Sequence, residues 1–126
     1  MIGLVVVSHS ARAAEGICEV ALEMAADAQI EPAGGEDGGL GTDAERIRDA
    51  IEAADDGDGV VVLVDLGSAV MNAELAIEMS DADTAIADAP VLEGTVNAGV
   101  ETTSGKATLD SVVERAEEAR EYRKLD

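Results

Sequence analysis

Apolar residues in this chain fall into two kinds of run, continuous and periodic, and their alternation predicts the fold. IGLVVV, residues 2–7, has no polar interruption, which predicts a strand buried on both faces. ARAAEGICEVALEMAADA, residues 11–28, changes to helical spacing, with Ile17, Ala21 or Leu22, and Met24 to Ala25 forming an inward stripe. QIEPA suits a short edge strand, where Pro32 is tolerated. GGEDGGLGTD, residues 34–43, is glycine-rich and turn-like, and Thr42 or Asp43 is placed to cap the next helix, AERIRDAIEAAD, whose Ile47 and Ile51 share a face. GVVVLVDLG is a second β-branched run and, like the first, ends in polar residues, here Asp65 and Gly67-Ser68. SAVMNAELAIEM predicts a helix with Val70 or Met71, Leu75 and Met79 on its inward side. TAIADAP is a weaker strand around residues 84–87. VLEGTVNAGVETTSG is helical only in part because of Gly94 and Gly99, whereas ATLDSVVERAEEAREYRKLD predicts an amphipathic helix with Leu109, Val112 or Val113, and Ala116 inward.

Strand alternating with helix predicts an α/β, three-layer domain, a mostly parallel sheet with helices on both faces. In such sheets, sites form beyond the carboxyl ends of the strands, at the point where strand order reverses. If the first and third strands are neighbours, SHS at residues 8–10 and DLGS at residues 65–68 meet there.

Composition narrows the setting. A length of 126 residues predicts one domain over residues 1–126, long enough to bury a core without staples. Asp and Glu number 28 against 8 Lys and Arg, a net charge of -20 that repels nucleic-acid phosphates and anionic lipid. With 47% hydrophobic residues and long periodic segments, the acidic excess reads as the surface of a folded protein from very high salt rather than as disorder. The scarcity of lysine and of large aromatics agrees, Ala and Val supplying the bulk. The absence of a basic start, of a membrane-length apolar stretch and of a lipidation signal predicts a cytoplasmic protein. A lone Cys18 within a helical apolar pattern is expected to be a small buried residue.

The chemistry centres on His9, the only imidazole, at a strand end between two small hydroxyls. Its bland role is a partly buried ring bonded to local backbone; its position at the expected crevice favours a site. Asp65, at the corresponding end of the other strong strand, either caps the helix beginning near Ser68 or orients the ring. As an orienter it would accept from one ring nitrogen, leave the other with an exposed lone pair able to attack phosphorus, and favour the charge that develops on the ring. Phosphoryl oxygens would then find donors at the helix starts, Ser10 and Ala11 on one side and Gly67 and Ser68 on the other. The hydroxyls of Ser8 and Thr42 are further candidates, each equally a cap or turn residue. Arg12 either meets the phosphoryl group or pairs with Glu15 or Glu19 on the helix. No metal or cofactor is expected: the spacing is not that of a zinc site, and carboxylates such as Asp37 and Asp43 are too abundant to signal magnesium. The glycine loop lacks the Gly-Lys-Ser/Thr ending of a nucleotide-binding loop, and DLGSA lacks the pattern of a nucleophile elbow.

Four blocks in order, LVVVSHSARAAEG, GTDAERIRDAIEAAD, VVVLVDLGSAVMNAELAIEM and APVLEGTVNAG, resemble the phosphotransferase subunits of phosphoenolpyruvate-dependent dihydroxyacetone kinases, relatives of the mannose-type IIA domains of the sugar phosphotransferase system. The resemblance implies that His9 is phosphorylated and that Asp65 supports it. It implies a donor, the phosphohistidine of the carrier protein HPr, and an acceptor, ADP held on the nucleotide-binding subunit of the kinase. A further partner subunit would hold dihydroxyacetone covalently. It also implies a homodimer and a sheet of four to five strands in the order 2-1-3-4, the fifth being a C-terminal edge strand of the mannose-type relatives. Some family members carry further HPr-like and enzyme-I-like domains; a chain without them is expected to use separate carriers, and an acidic surface would meet these through apolar and hydrogen-bond contacts. A sugar-transport IIA domain serving a IIB domain, or a regulatory module without transfer, are the competing readings. The apolar side chains of VMNAELAIEM serve a partner, a second copy, or simply the inside of a helix.

Overall fold

The computed structural model describes residues 1–125. Four strands, β1 (Gly3–Ser8), β2 (Ile30–Gly34), β3 (Val60–Val64) and β4 (Thr84–Ala87), form one parallel sheet in the order β2-β1-β3-β4. Five α-helices cover it: α1 (Ala11–Met24), α2 (Ala44–Ala54), α3 (Val70–Met79), α4 (Val91–Thr102) and α5 (Leu109–Glu117). No fifth strand is present among the described residues.

The continuous apolar runs became the two inner strands because both of their faces are covered. Leu4 and Val6 of β1, with Val61 and Leu63 of β3, pack against α1, α4 and α5; Val5, Val7, Val60 and Val62 point the other way, toward α2 and α3. All eight are fully buried, each worth about 1.5–3 kcal/mol, so the central pair anchors the sheet. Pro32 lies in edge strand β2, opposite Val6, where the missing amide costs little.

Packing overturned one expected face. Met71, Leu75 and Met79 of α3 are exposed, and the helix buries Ala73 and Ala76 together with Ala69 before it. Small side chains let this helix lie close to α2 and the sheet, and the larger ones were left outside. In α1, likewise, Ala14, Cys18 and Ala21 are buried while Met24 ends the helix in solvent. Gly94 and Gly99 do not interrupt α4: both are buried within it, and a Cβ on Gly94 would lie 2.8 Å from Ala89 Cβ and 3.0 Å from Leu63 Cδ2. The final helix is shorter than its periodicity implied, passing after Glu117 into a 3₁₀ turn (Glu118–Glu121).

Acidic side chains occupy the outer positions of every helical layer, Glu19 and Glu23 on α1, Glu45, Asp49 and Glu52 on α2, Glu74 and Glu78 on α3, and Asp110 and Glu114 on α5. With so few cations to offset them, their mutual repulsion acts across the surface and is screened once the Debye length falls from about 10 Å to about 3 Å. The unfolding midpoint is therefore expected to rise by at least about 5 °C between about 0.1 M and about 2 M KCl, the shift produced by about 1 kcal/mol. A flat series, followed by circular dichroism, would refute this.

Candidate active site

Strand order reverses between β1 and β3, since the chain leaves β1 for β2 on one side and returns to β3 on the other. The register pairs Val7 with Val64, and the Asp65 amide donates to Val7 O at 3.0 Å, so the polar tips of the two strands leave the sheet side by side. Residues separated by more than fifty positions thus become neighbours.

The resulting cluster is small and closely bonded. His9 Nδ1 lies 3.0 Å from Asp65 Oδ1, while the His9 amide donates to Asp65 Oδ2 at 3.0 Å and the Ser8 hydroxyl to the same oxygen at 2.9 Å. Ser8 is buried and also accepts from the Ser10 amide at 3.1 Å. On the other side of the ring, Ser68 Oγ is 3.0 Å from His9 Nε2. With Asp65 ionised, Nδ1 carries the proton and Nε2 accepts from the Ser68 hydroxyl. Burial pushes the Asp65 carboxyl up, but the hydrogen bonds from the His9 amide, the imidazole and the Ser8 hydroxyl outweigh it and hold it below the usual carboxylate range. The side chain of His9 retains 30% exposure, so part of the ring is open to solvent.

Asp65 caps no helix: the 3₁₀ turn that follows it (Gly67–Ala69) has no side-chain cap, and both carboxylate oxygens are occupied by Ser8 and His9. Gly67 and Ser68 sit exposed on that turn. Ser10 is the N-cap of α1, its hydroxyl accepting from the Ala13 amide at 3.2 Å, and Ala11 opens the helix at an exposed position. Asp43 rather than Thr42 caps α2. Thr42 Oγ1 instead accepts from Asn72 Nδ2 at 2.8 Å, tying the glycine loop to α3. Asn72 escaped the sequence reading; its one signal was a lone amide on an otherwise apolar and acidic helix. Arg12 makes no ion pair with Glu15 or Glu19 among the described residues.

The glycine loop is shaped around the start of α1. Asp37 and Gly38 both have positive φ, 49° and 82°, and the Glu36 and Gly39 backbones bond each other, forming the tight turn that Asp-Gly favours. Gly35 donates to Ser8 O and Gly41 to His9 O at 2.8 Å, which stitches the loop to the end of β1. Gly34 passes so near that a Cβ there would lie 2.5 Å from Ser10 O. A cavity of about 410 Å³ is lined by this loop, the start of α1 and Arg46, and His9 is not among its lining residues.

Among the described residues no group of three or more His, Cys, Asp or Glu side chains is arranged to hold a metal ion. Cys18 is buried on the inward face of α1, and burial pushes its thiol up to about 11, with Glu31 and Glu15 adding to the shift. No helix among the described residues is long and apolar enough to cross a membrane.

Fold and site together define a parallel α/β domain that presents one oriented imidazole, backed by a carboxylate, at the switch point of its sheet. The chain belongs to the EIIA-man family, whose model, described as the PTS system fructose IIA component, matches residues 3–113. It is 39% identical, over 98% of its length, to the "PEP-dependent dihydroxyacetone kinase, phosphoryl donor subunit DhaM" of Escherichia coli (strain K12), of which it spans 28%. It is 37% identical, over 99% of its length, to the protein of the same description from Klebsiella michiganensis, again spanning 28% of that protein. A shorter relative, the "PTS-dependent dihydroxyacetone kinase, phosphotransferase subunit DhaM" of Lactococcus lactis, is 36% identical, with 91% of this chain and 93% of the relative covered. Among solved structures, a protein described as of unknown function superimposes with a TM-score of 0.82 at 30% identity, covering 98% of both chains.

Proposed function

We propose that this chain is a phosphoryl carrier: His9 Nε2 takes a phosphoryl group from the phosphohistidine of HPr and passes it to ADP held on the nucleotide-binding subunit of a dihydroxyacetone kinase. The observation that carries this reading is the Asp65–His9–Ser68 chain of contacts, which sets Nδ1 against the carboxylate and Nε2 against a hydroxyl. The kinase assignment is supported by the printed descriptions of the relatives.

In charging, the Nε2 lone pair attacks phosphorus, the P–N bond to the donor imidazole breaks, and its electron pair stays with the donor ring. The proton on Nδ1 remains there, so the His9 ring becomes cationic and Asp65 stabilises it. The Ser68 hydroxyl, no longer able to donate to Nε2, turns to a phosphoryl oxygen. The amides of Gly67 and Ser68 and that of Ala11 are the remaining donors we assign to the phosphoryl group; the Ser10 and Thr42 oxygens already serve Ala13 and Asn72. Discharge reverses the bonds: an oxygen of the terminal phosphate of ADP attacks, the P–N bond breaks, and neutral His9 is restored.

Partners would dock through apolar and hydrogen-bond contacts, since high salt screens long-range charge steering. Exposed Leu66, next to Asp65, and exposed Leu40, next to Gly41, support this, as does the strip of Met71, Leu75 and Met79 on α3. A cytoplasmic homodimer working under high salt, in which residues 1–126 act as one transfer domain, completes the proposal. The test is to charge the protein with enzyme I, HPr and labelled phosphoenolpyruvate, then offer purified ADP-loaded kinase subunits or a IIB domain. Discharge to ADP alone is the expected outcome; discharge to the IIB domain alone would assign the chain to sugar transport, and no charging would end the carrier reading.

A further inference from the structure

The cavity of about 410 Å³ beside His9 is lined by Ser10, Ala11 and Arg12 from the start of α1, by glycines of the loop at residues 34–39, and by Arg46 from the first turn of α2. Its volume lies within the range of small-ligand sites, about 300–1,000 Å³. What sets it apart is charge. Of the six arginines, Arg48, Arg115 and Arg120 each pair with a carboxylate, whereas Arg12, Arg46 and Arg123 pair with none among the described residues. Two of these three, Arg12 and Arg46, both exposed, line this one cavity. Glu15 lines the adjoining hollow with Arg46, and the two form no ion pair. Glycine walls leave the backbone accessible and keep side chains out of the space, and two forked guanidinium groups match the oxygens of a phosphate.

The position of the cavity decides which phosphate. It adjoins His9 through Ser10, but the imidazole does not line it and contacts Asp65 and Ser68 instead. An anion held there is a neighbour of the transferred group and not the transferred group itself. We propose that this cavity is a second anion site, which holds the phosphate of a diphosphate acceptor that does not attack the transferred phosphoryl group. The assignment rests on the reading that His9 discharges to a nucleoside diphosphate. A phosphoimidazole donor has no second phosphate, so the site acts on discharge and not on charging, and it favours a diphosphate over a monophosphoryl partner. Contact-range guanidinium bonds of this kind persist when salt has screened longer-range attraction.

The test compares the two half-reactions in Arg46→Gln and Arg12→Gln variants of the full chain. Discharge to ADP-loaded kinase subunit is expected to slow at least about tenfold more than charging by phospho-HPr does, the loss of one charge-assisted contact. Equal slowing of both steps, or of neither, would overturn the site. Arg46→Lys should recover part of the rate, which a folding defect would not reproduce. Independently, inorganic pyrophosphate titrated at constant ionic strength should shift the amide resonances of Ala11, Arg12 and Gly38 in the uncharged wild type more strongly than inorganic phosphate does, and should do neither in the double variant. Identical titrations in wild type and double variant would remove the site even if discharge proceeds. Should wild type charge normally but fail to discharge to ADP, the acceptor reading and the proposed occupant fall together, whereas a failure confined to the arginine variants' contrast leaves the carrier reading standing.

Discussion

His9→Ala is expected to abolish acid-labile, base-stable labelling from phosphoenolpyruvate through enzyme I and HPr, a loss of at least about 10⁴-fold, as when a nucleophile is removed from an active site. No other group can take its place. Cys18 is buried on the inward face of α1 with its thiol raised to about 11, and the Ser68 hydroxyl loses the basic ring nitrogen beside it. The fold should survive, because the His9 side chain is 30% exposed and contributes little apolar burial. Circular dichroism and the thermal midpoint of the variant should match wild type, so that lost labelling reports chemistry. Equal labelling of both proteins would exclude His9 as the acceptor.

Replacement of Asp65 has the second largest expected effect. Asp65→Ala removes the acceptor for Nδ1–H and the group that stabilises the cationic ring, and phosphoryl exchange with HPr should slow by about 10- to 100-fold. It also strands the Ser8 hydroxyl and the His9 amide, at a cost of about 1–3 kcal/mol, while the sheet and both core layers remain. Asp65→Asn keeps the shape but brings an amide donor toward a ring nitrogen that must itself donate, so it should not restore the rate. The pH dependence gives a separate check. Because the carboxyl is held below its ordinary value, its contribution to stability is complete above the unfolded carboxylate value of about 3.9 and disappears as pH falls through the folded value. Wild type should lose this increment of stability in that acid window and Asp65→Ala should not. Exchange rates unchanged in Asp65→Ala would remove this residue from the mechanism.

Family membership also separates two properties that act at different ranges. The imidazole, its carboxylate and the Ser68 hydroxyl operate within about 3 Å, where solvent ions do not intervene. The acidic exterior operates over many ångströms and is the part that salt alters. Under the proposed function, transfer chemistry would stay unchanged with salt while stability and encounters with partners would vary with it.

Local pattern was enough to find the inner strands, because a run without polar residues can only be covered on both sides, and it was enough to put His9 and Asp65 at strand ends. The turn character of residues 34–43 and the amphipathic faces of α2 and α5 were equally readable, since each depends on near neighbours along the chain. The face of α3 was not. Its large side chains and its alanines form two stripes of similar spacing, and the narrow gap between that helix, α2 and the sheet accepted the smaller set. Gly94 and Gly99 looked like interruptions for the same reason: their use, close approach to Leu63, Ala89 and Ala25, exists only after the layers are stacked. The Asn72–Thr42 tether and the convergence of Arg12 with Arg46 join elements far apart along the chain. What the chain alone determined, then, was which residues could do chemistry and where each strand ends; the strand order β2-β1-β3-β4 decided which of them meet, because only side-by-side alignment of β1 and β3 brings a carboxylate and a hydroxyl to opposite nitrogens of one ring.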